Sequence, residues 1–264
     1  LPSLAPARPH ENPVSYQFLI AASTFTAAAA AVVALRMLRL RGVAAGTFVH
    51  VATRANLSFI GLPVLVYIIE ARLSSDATVL RSLVLLSMAP YLLVQNAAGI
   101  VALLIGRSPP DRSMFSAITK SMIRHPVLIS LAAGAAVGMC DWQLPLFLER
   151  SLRSVAAVAA PAALISIGGA LANISLRERL APALAATALK IMLMPAAGWL
   201  CGALLELNRD QMLVVLVFLA CPTGAASFSL VAEMGGDQAL ASATIILSTI
   251  AGVLPLTLAL LFTL

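Results

Sequence analysis

The chain has 264 residues, of which 61% are hydrophobic and 11% charged, and its mean hydropathy is +0.98. Soluble domains carry about 25% charged and about 45–50% apolar residues, so this composition excludes one and points to an all-α polytopic membrane protein. The net charge of +6 lies in short connections between apolar stretches; it reads as a membrane-facing charge bias and argues against a nucleic-acid partner.

Residues 1–15 contain four prolines and lack the apolar core of a signal peptide, so they are expected to be a tail or the end of a preceding helix. At about 20 residues per crossing, eight spans follow, near 16–38, 45–69, 79–106, 125–140, 145–173, 181–205, 209–233 and 238–263. The second is interrupted midway by Arg54-Ala55-Asn56-Leu57-Ser58-Phe59-Ile60-Gly61-Leu62-Pro63. The seventh is interrupted by Cys221-Pro222-Thr223-Gly224-Ala225-Ala226-Ser227-Phe228-Ser229. Unpaired backbone groups cost several kcal/mol in hydrocarbon, so a broken helix persists only where protein buries it or it lines a wet cavity. A Gly/Pro-interrupted span in each half marks a transporter's substrate site. The fourth span is short, with Val127 to Met139 uninterrupted, and is expected to tilt or lie where the bilayer is thin.

Residues 107–124, with Pro109-Pro110 ahead of an amphipathic stretch from Asp111, are expected to be a cytoplasmic linker. It would join a first repeat of three helices (16–106) to a second of five (125–264). Basic residues summed by side favour that orientation. Arg36, Arg39, Arg41, Arg107, Arg112, Lys120, Arg124, Arg177 and Arg179 face Arg72, Arg81, Arg209 and, at an ambiguous boundary, Arg150 and Arg153. An odd number of spans per repeat inverts the copies, as in many secondary transporters. Asp76–Ser87 and Asp237–Ser248 echo one another, each after a broken span containing Ser-Phe. If the halves match, two helices precede the first span.

Proline removes a backbone donor and frees the carbonyl a turn earlier. Pro63 and Pro222, beside Gly61 and Gly224, therefore expose backbone groups, and half-helix N-termini suit an anion. Asn56, Ser58, Thr223 and Ser227 add neutral donors for a carboxylate. Gln95-Asn96 lies deep in the third span, where its amides need partners and an interhelical hydrogen bond is expected. Ionisable residues within spans default to functional readings. Arg54 is expected to attract an anion, or to pair with Glu70 or Glu233. Lys190 is expected to snorkel to the cytoplasmic side, and His50 to be a satisfied interfacial histidine. Gly168-Gly169 is expected to serve close helix packing. Cys140, Cys201 and Cys221 have no metal-ligand spacing and are expected to be small buried residues. Neither break has a buried Asp or Glu near it, which argues against a carboxylate-based sodium or proton site and fits potential-driven anion export. No span carries two Asp, and neither Gly-x-Ser-x-Gly nor His-Glu-x-x-His occurs, so no enzyme, metal or cofactor is expected.

Four passages resemble the auxin efflux carrier family, which includes plant PIN-FORMED carriers and bacterial malonate-type permeases. Asn56-Leu57-Ser58-Phe59-Ile60-Gly61-Leu62-Pro63 is similar to its Asn-x-x-Phe-x-Gly-Leu-Pro crossover. His125-Pro126-Val127-Leu128-Ile129 is similar to the start of its second repeat. Pro161 to Leu171, with Ser166-Ile167-Gly168-Gly169, resembles its Pro-x-x-Leu-x-x-x-Gly helix. Cys221 to Ser227, followed by Glu233-Met234-Gly235-Gly236-Asp237, resembles its second crossover and turn. The likeness covers residues 16–264. It implies an NhaA-like fold of inverted five-helix repeats with two crossing broken helices, about eight of the ten helices being present. It also places Asn96 at the site. Gly224-Ala225-Ala226 stands where many members keep an Asn, which leaves the substrate open. The resemblance implies a permease of the plasma (inner) membrane that exports or exchanges a malonate- or auxin-like carboxylate by alternating access. Substrate-binding candidates are Asn56, Ser58, Gly61, Pro63, Asn96, Pro222, Thr223 and Ser227, with Arg54 for anion attraction or coupling. Expected partners are a small organic anion and the bilayer; a homodimer is left open. A bile-acid-sodium-symporter-like carrier, a membrane sensor and a channel remain alternatives.

Overall fold

A computed structural model describes residues 13–71, 75–107, 116, 123, 126–140, 142–172 and 179–263. Helix fills each of the eight apolar stretches, as Ala- and Leu-rich sequence favours. The helices are α1 (Pro13–Met37), α2 (Gly42–Thr53), α3 (Leu62–Ala71), α4 (Ser75–Arg107), α5 (Pro126–Met139) and α6 (Leu146–Ala172). After them come α7 (Leu180–Ala188), α8 (Met194–Leu204), α9 (Arg209–Ala220), α10 (Ala226–Glu233), α11 (Gln238–Ala251) and α12 (Val253–Thr263). No strand occurs among the described residues; one isolated antiparallel bridge joins Ala55 to Thr223. Most of the 107–124 linker and of the 1–15 segment lies outside the described residues, as do His125 and the surroundings of Gly168-Gly169.

Among the described residues, two helices are long and apolar enough to cross a bilayer, Pro90–Arg107 and Leu180–Leu204. The pair Gln238–Ala251 and Val253–Phe262, bent by 42°, makes a third. α7 runs into α8 through a wide π turn at Leu189–Leu193, and a second π turn at Leu57–Gly61 opens α3. Such turns add a residue to the helical repeat, leave a local gap in the bonding ladder, and often mark functional places. Capping fixes several starts. Asn208 and Gln211 form a reciprocal capping box on α9, at 2.9 and 3.2 Å. The Asp237 carboxylate accepts the Leu240 N–H at 3.0 Å and starts α11.

α2 and α4 approach so closely that only glycine fits between them. A Cβ on Gly46 would lie 2.5 Å from the Ala102 carbonyl oxygen, and one on Gly106 2.8 Å from the Gly46 Cα. Small residues at such seams let backbones touch, which is how helices associate where no hydrophobic force separates them from lipid. The seam sets α2, which ends at the first break, against the polar middle of α4. α9 is the most enclosed helix, with Leu213 through Ala220 all buried. It stacks Phe218 on Tyr91 of α4 at 5.9 Å, while the Tyr91 and Thr24 hydroxyls meet at 3.1 Å. Elsewhere apolar side chains turn outward: Phe147, Val155 and Ile165 of α6 are each more than 70% exposed, as lipid-facing positions are. Cys201 is half-buried and Cys221 buried as expected, but Cys140 is exposed at the end of α5.

Candidate functional site

Each break severs a helical hydrogen bond, and each severed group finds a named partner. The last regular bond of α2 runs from the Arg54 N–H to the His50 carbonyl, 3.1 Å. The next would join Ala55 to Val51. Instead the Ala55 N–H is donated to Gln95 Oε1 of α4 at 2.7 Å, and the Val51 carbonyl accepts the Thr223 hydroxyl at 2.9 Å. α9 breaks the same way. Its last regular bond joins the Cys221 N–H to the Val217 carbonyl, 3.1 Å, and Pro222 has no N–H to continue. The Leu219 carbonyl, which Thr223 would have met, accepts the Lys190 ammonium at 2.8 Å. The Thr223 N–H is donated to Ser248 Oγ at 3.0 Å.

The two breaks then pair with one another: the Asn56 N–H is donated to the Pro222 carbonyl at 2.8 Å, beside the Ala55–Thr223 bridge. Gly224 permits the approach, since a Cβ there would sit 3.3 Å from the Ala55 oxygen. Below the pairing, the Asn56 carboxamide oxygen accepts the Phe59 N–H at 3.3 Å and caps the π turn.

Beside the paired breaks lies a cavity of about 50 Å³ lined by Arg54 to Phe59, Leu92, Gln95, Asn96, Gly224 and Ala226. Its mouth is at the exposed Ser58 and Phe59, and its floor at Arg54, Gln95 and Asn96, which are 9%, 4% and 1% exposed. Three floor atoms have no hydrogen-bond partner: Arg54 Nη1, Gln95 Nε2 and Asn96 Oδ1. Buried polar atoms are nearly always paired, so these three mark unsatisfied polar packing beside the cavity rather than on its surface.

Of the sequence candidates, Arg54, Asn56, Ser58 and Asn96 line this cavity together. Gly61, Pro63, Pro222, Thr223 and Ser227 do not. Gly61 is buried against the Cys221 sulfur, where a Cβ would lie 3.1 Å away. Pro63 is exposed, two residues past the π turn. Pro222 and Thr223 hold the breaks together, and the Thr223 hydroxyl is spent on Val51. Ser227 is buried with its hydroxyl unpartnered, outside the lining. Gln95 and Ser248 were not candidates. Gln95 is visible as a polar residue in an apolar span, whereas Ser248 has no sequence signal beyond the Asp237–Ser248 echo.

Three expectations about charge are corrected. Lys190 does not snorkel: it is fully buried, because the broken end of α9 presents it a free carbonyl at the negative pole of that helix. His50 is fully buried against Gly99, with both ring nitrogens unpartnered, so it is not a satisfied interfacial residue. Arg54 pairs with neither Glu70 nor Glu233, both of which are exposed; the ion pairs among the described residues lie elsewhere, at Arg153–Glu149 and Arg179–Asp237.

A family profile described as "Membrane transport protein" matches residues 12–260. The chain belongs to that family, the group of the auxin efflux carriers. The search among curated proteins gave no match. Membership makes the chain an integral membrane transporter, in a family of transporters and not of enzymes. For this transporter the pairing of the breaks is a structural joint, and a Thr223→Val substitution should test it. That change leaves the buried Val51 carbonyl unpaired, at a cost of about 1–3 kcal/mol. The expected result is a lower thermal midpoint in detergent, with any substrate affinity that survives unaltered.

Proposed function

We propose that this transporter carries a small organic anion, seated with its carboxylate against Arg54 beside the paired breaks. The observation that carries the reading is Arg54, a buried guanidinium that lines the cavity with Gln95 and Asn96, with no carboxylate among the described lining residues. A buried cation without a partner is unfavourable by several kcal/mol, and an arriving carboxylate supplies the missing charge and acceptors. Asn56 and Ser58 at the mouth offer further polar contacts on the entry route.

Alternating access in the plasma membrane is part of the same proposal. In this reading the Ala55–Thr223 pairing is the pivot between the inverted repeats, the first of three helices (16–106) and the second of five (125–264), so that one bundle would rock against the other around a fixed site. Residues 107–124 would be the linker between the repeats. The matched repair of the two severed bonds, by Gln95 and Thr223 in one break and Ser248 and Lys190 in the other, supports a repeated design.

Purified protein in proteoliposomes should take up radiolabelled short-chain carboxylates saturably, and faster when the trans side is positive. Sodium should not be required, since Lys190 and Arg54 already place positive charge at both breaks. Uptake that needs sodium would support a bile-acid-symporter-like carrier instead; flux that never saturates would indicate a channel, and binding without uptake a sensor.

A further inference from the structure

The two breaks free carbonyls of the same kind, yet the donors that answer them differ in charge. The Val51 carbonyl of α2 takes a neutral hydroxyl, that of Thr223, at 2.9 Å. The Leu219 carbonyl of α9 takes the Lys190 ammonium at 2.8 Å. A hydroxyl satisfies a lone carbonyl without burying a charge, and an intramembrane lysine is costly, so the lysine supplies more than a hydrogen bond. It supplies charge. A helix C-terminus carries about half a negative elementary charge. At α9 two successive carbonyls have lost their helical donors: Pro222 has no N–H for Phe218, and the Thr223 N–H goes to Ser248 instead of Leu219. Phe218, Leu219 and Lys190 are all fully buried, and among the described residues no carboxylate pairs with Lys190.

Spacing places the lysine there. Ala183, Ala186, Lys190, Met194, Gly198 and Gly202 are buried and recur every three or four residues, forming one inward stripe along α7 and α8. Lys190 lies inside the π turn that joins the two helices, and such turns often mark functional places. Further along the stripe, a Cβ at Gly198 would overlap Leu219 Cδ1. The helix that carries the ammonium is thus seated on the same residue whose carbonyl the ammonium binds.

In carriers built on broken helices, half-helix C-terminal ends and unwound carbonyls are where a coupling cation binds. Here a tethered cation occupies such an end. We propose that Lys190 takes the place of a coupling ion: its ammonium fills a monovalent-cation seat at the broken end of α9, and the carrier cycles without binding or releasing a cation there. Shortening the side chain turns the seat into a binding site for a free monovalent cation. The proposal deepens the sodium-independent reading above and rests on it.

The test compares full-length wild type, Lys190→Ala and Lys190→Met in detergent, in chloride salts of sodium, potassium, methylammonium and N-methylglucamine at one ionic strength. Wild type should melt at the same temperature in all four. Lys190→Ala should melt several degrees lower in N-methylglucamine, which is too large for the seat. It should recover in methylammonium and in sodium or potassium, since a cation bound to the folded state stabilises it. Lys190→Met, whose apolar side chain fills the seat, should melt low in every salt. In proteoliposomes, carboxylate uptake by Lys190→Ala should rise about tenfold or more when the rescuing metal ion is supplied, with wild type unchanged. Lys190→Ser is the second variant, with the same expectation as Lys190→Ala. Failure of both to recover in any cation, or to fold in any, overturns the proposal. Recovery in methylammonium alone marks a structural amine and also overturns it, as does recovered melting without recovered uptake where wild type transports. Wild-type uptake that requires sodium overturns both this proposal and the reading it rests on. A wild type that takes up no carboxylate overturns the anion reading alone, and the melting curves then decide the cation seat.

Discussion

Replacing Arg54 with Gln is expected to cut carboxylate uptake on the order of a hundredfold, while the thermal midpoint stays level or rises. The first effect follows from the loss of a charge-assisted hydrogen bond made in a buried site, worth up to about 3 kcal/mol, at ~1.4 kcal/mol per tenfold change. The second follows from the same geometry read without ligand. Arg54 is 9% exposed, has an unpartnered Nη1 and meets no carboxylate among the described residues. Removing an uncompensated buried charge relieves a cost to the folded state. A purely structural arginine behaves in the opposite way, losing stability and activity together. Uptake in proteoliposomes and a melting curve in detergent, measured on one preparation, separate the two cases. Loss of both would sink the assignment of Arg54 to the anion.

A saturating small carboxylate should in addition raise the melting temperature of the wild-type protein and leave that of Arg54→Gln unmoved. Binding to the folded state alone stabilises it by mass action. This measurement needs no transport at all, so a protein that binds without carrying would still report on the site.

The helices and the places where they fail are legible in the sequence for different reasons. Stretches such as Val127 to Met139 and the residues of α9 are helical because apolar residues without glycine–proline clusters leave the backbone no better way to satisfy its polar groups in lipid. The second break is legible from Pro222 and Gly224, which act locally. The first is only half legible. Gly61 and Pro63 draw attention, yet the helix gives way earlier, at Ala55, because Gln95 and Thr223 outbid the regular bond from residues 40 and 168 positions away. Lys190 is misleading for the same reason. Its distance from the span end predicts snorkelling, but the carbonyl that captures it belongs to Leu219 on another helix. Composition places Asn96 and Gln95 at a polar spot in an apolar span; only their partners reveal which amide atom remains free.

Gly46→Leu should give the largest structural defect, and it should fail through the site as well as through the fold. A Cβ alone at Gly46 would lie 2.5 Å from the Ala102 oxygen and 3.0 Å from the Gly106 Cα. Both are backbone atoms, so no rotamer change relieves the clash, and even Gly46→Ala should cost about 1–3 kcal/mol through overpacking. A leucine must push α2 from α4. That separation takes Arg54, just past the end of α2, away from Gln95 and Asn96 of α4, and strips the Ala55 N–H of its 2.7 Å acceptor. The expected outcome is loss of a monodisperse peak in size-exclusion chromatography, or a melting temperature depressed by many degrees with no measurable uptake. The control is Gly138→Leu on α5, where a Cβ meets nothing within 4 Å among the described residues. There a leucine should change stability by no more than about 0.5 kcal/mol and leave uptake intact. A Gly46→Leu protein that melts with the wild type and still transports would show that the α2–α4 seam does not hold the two halves of the cavity floor together.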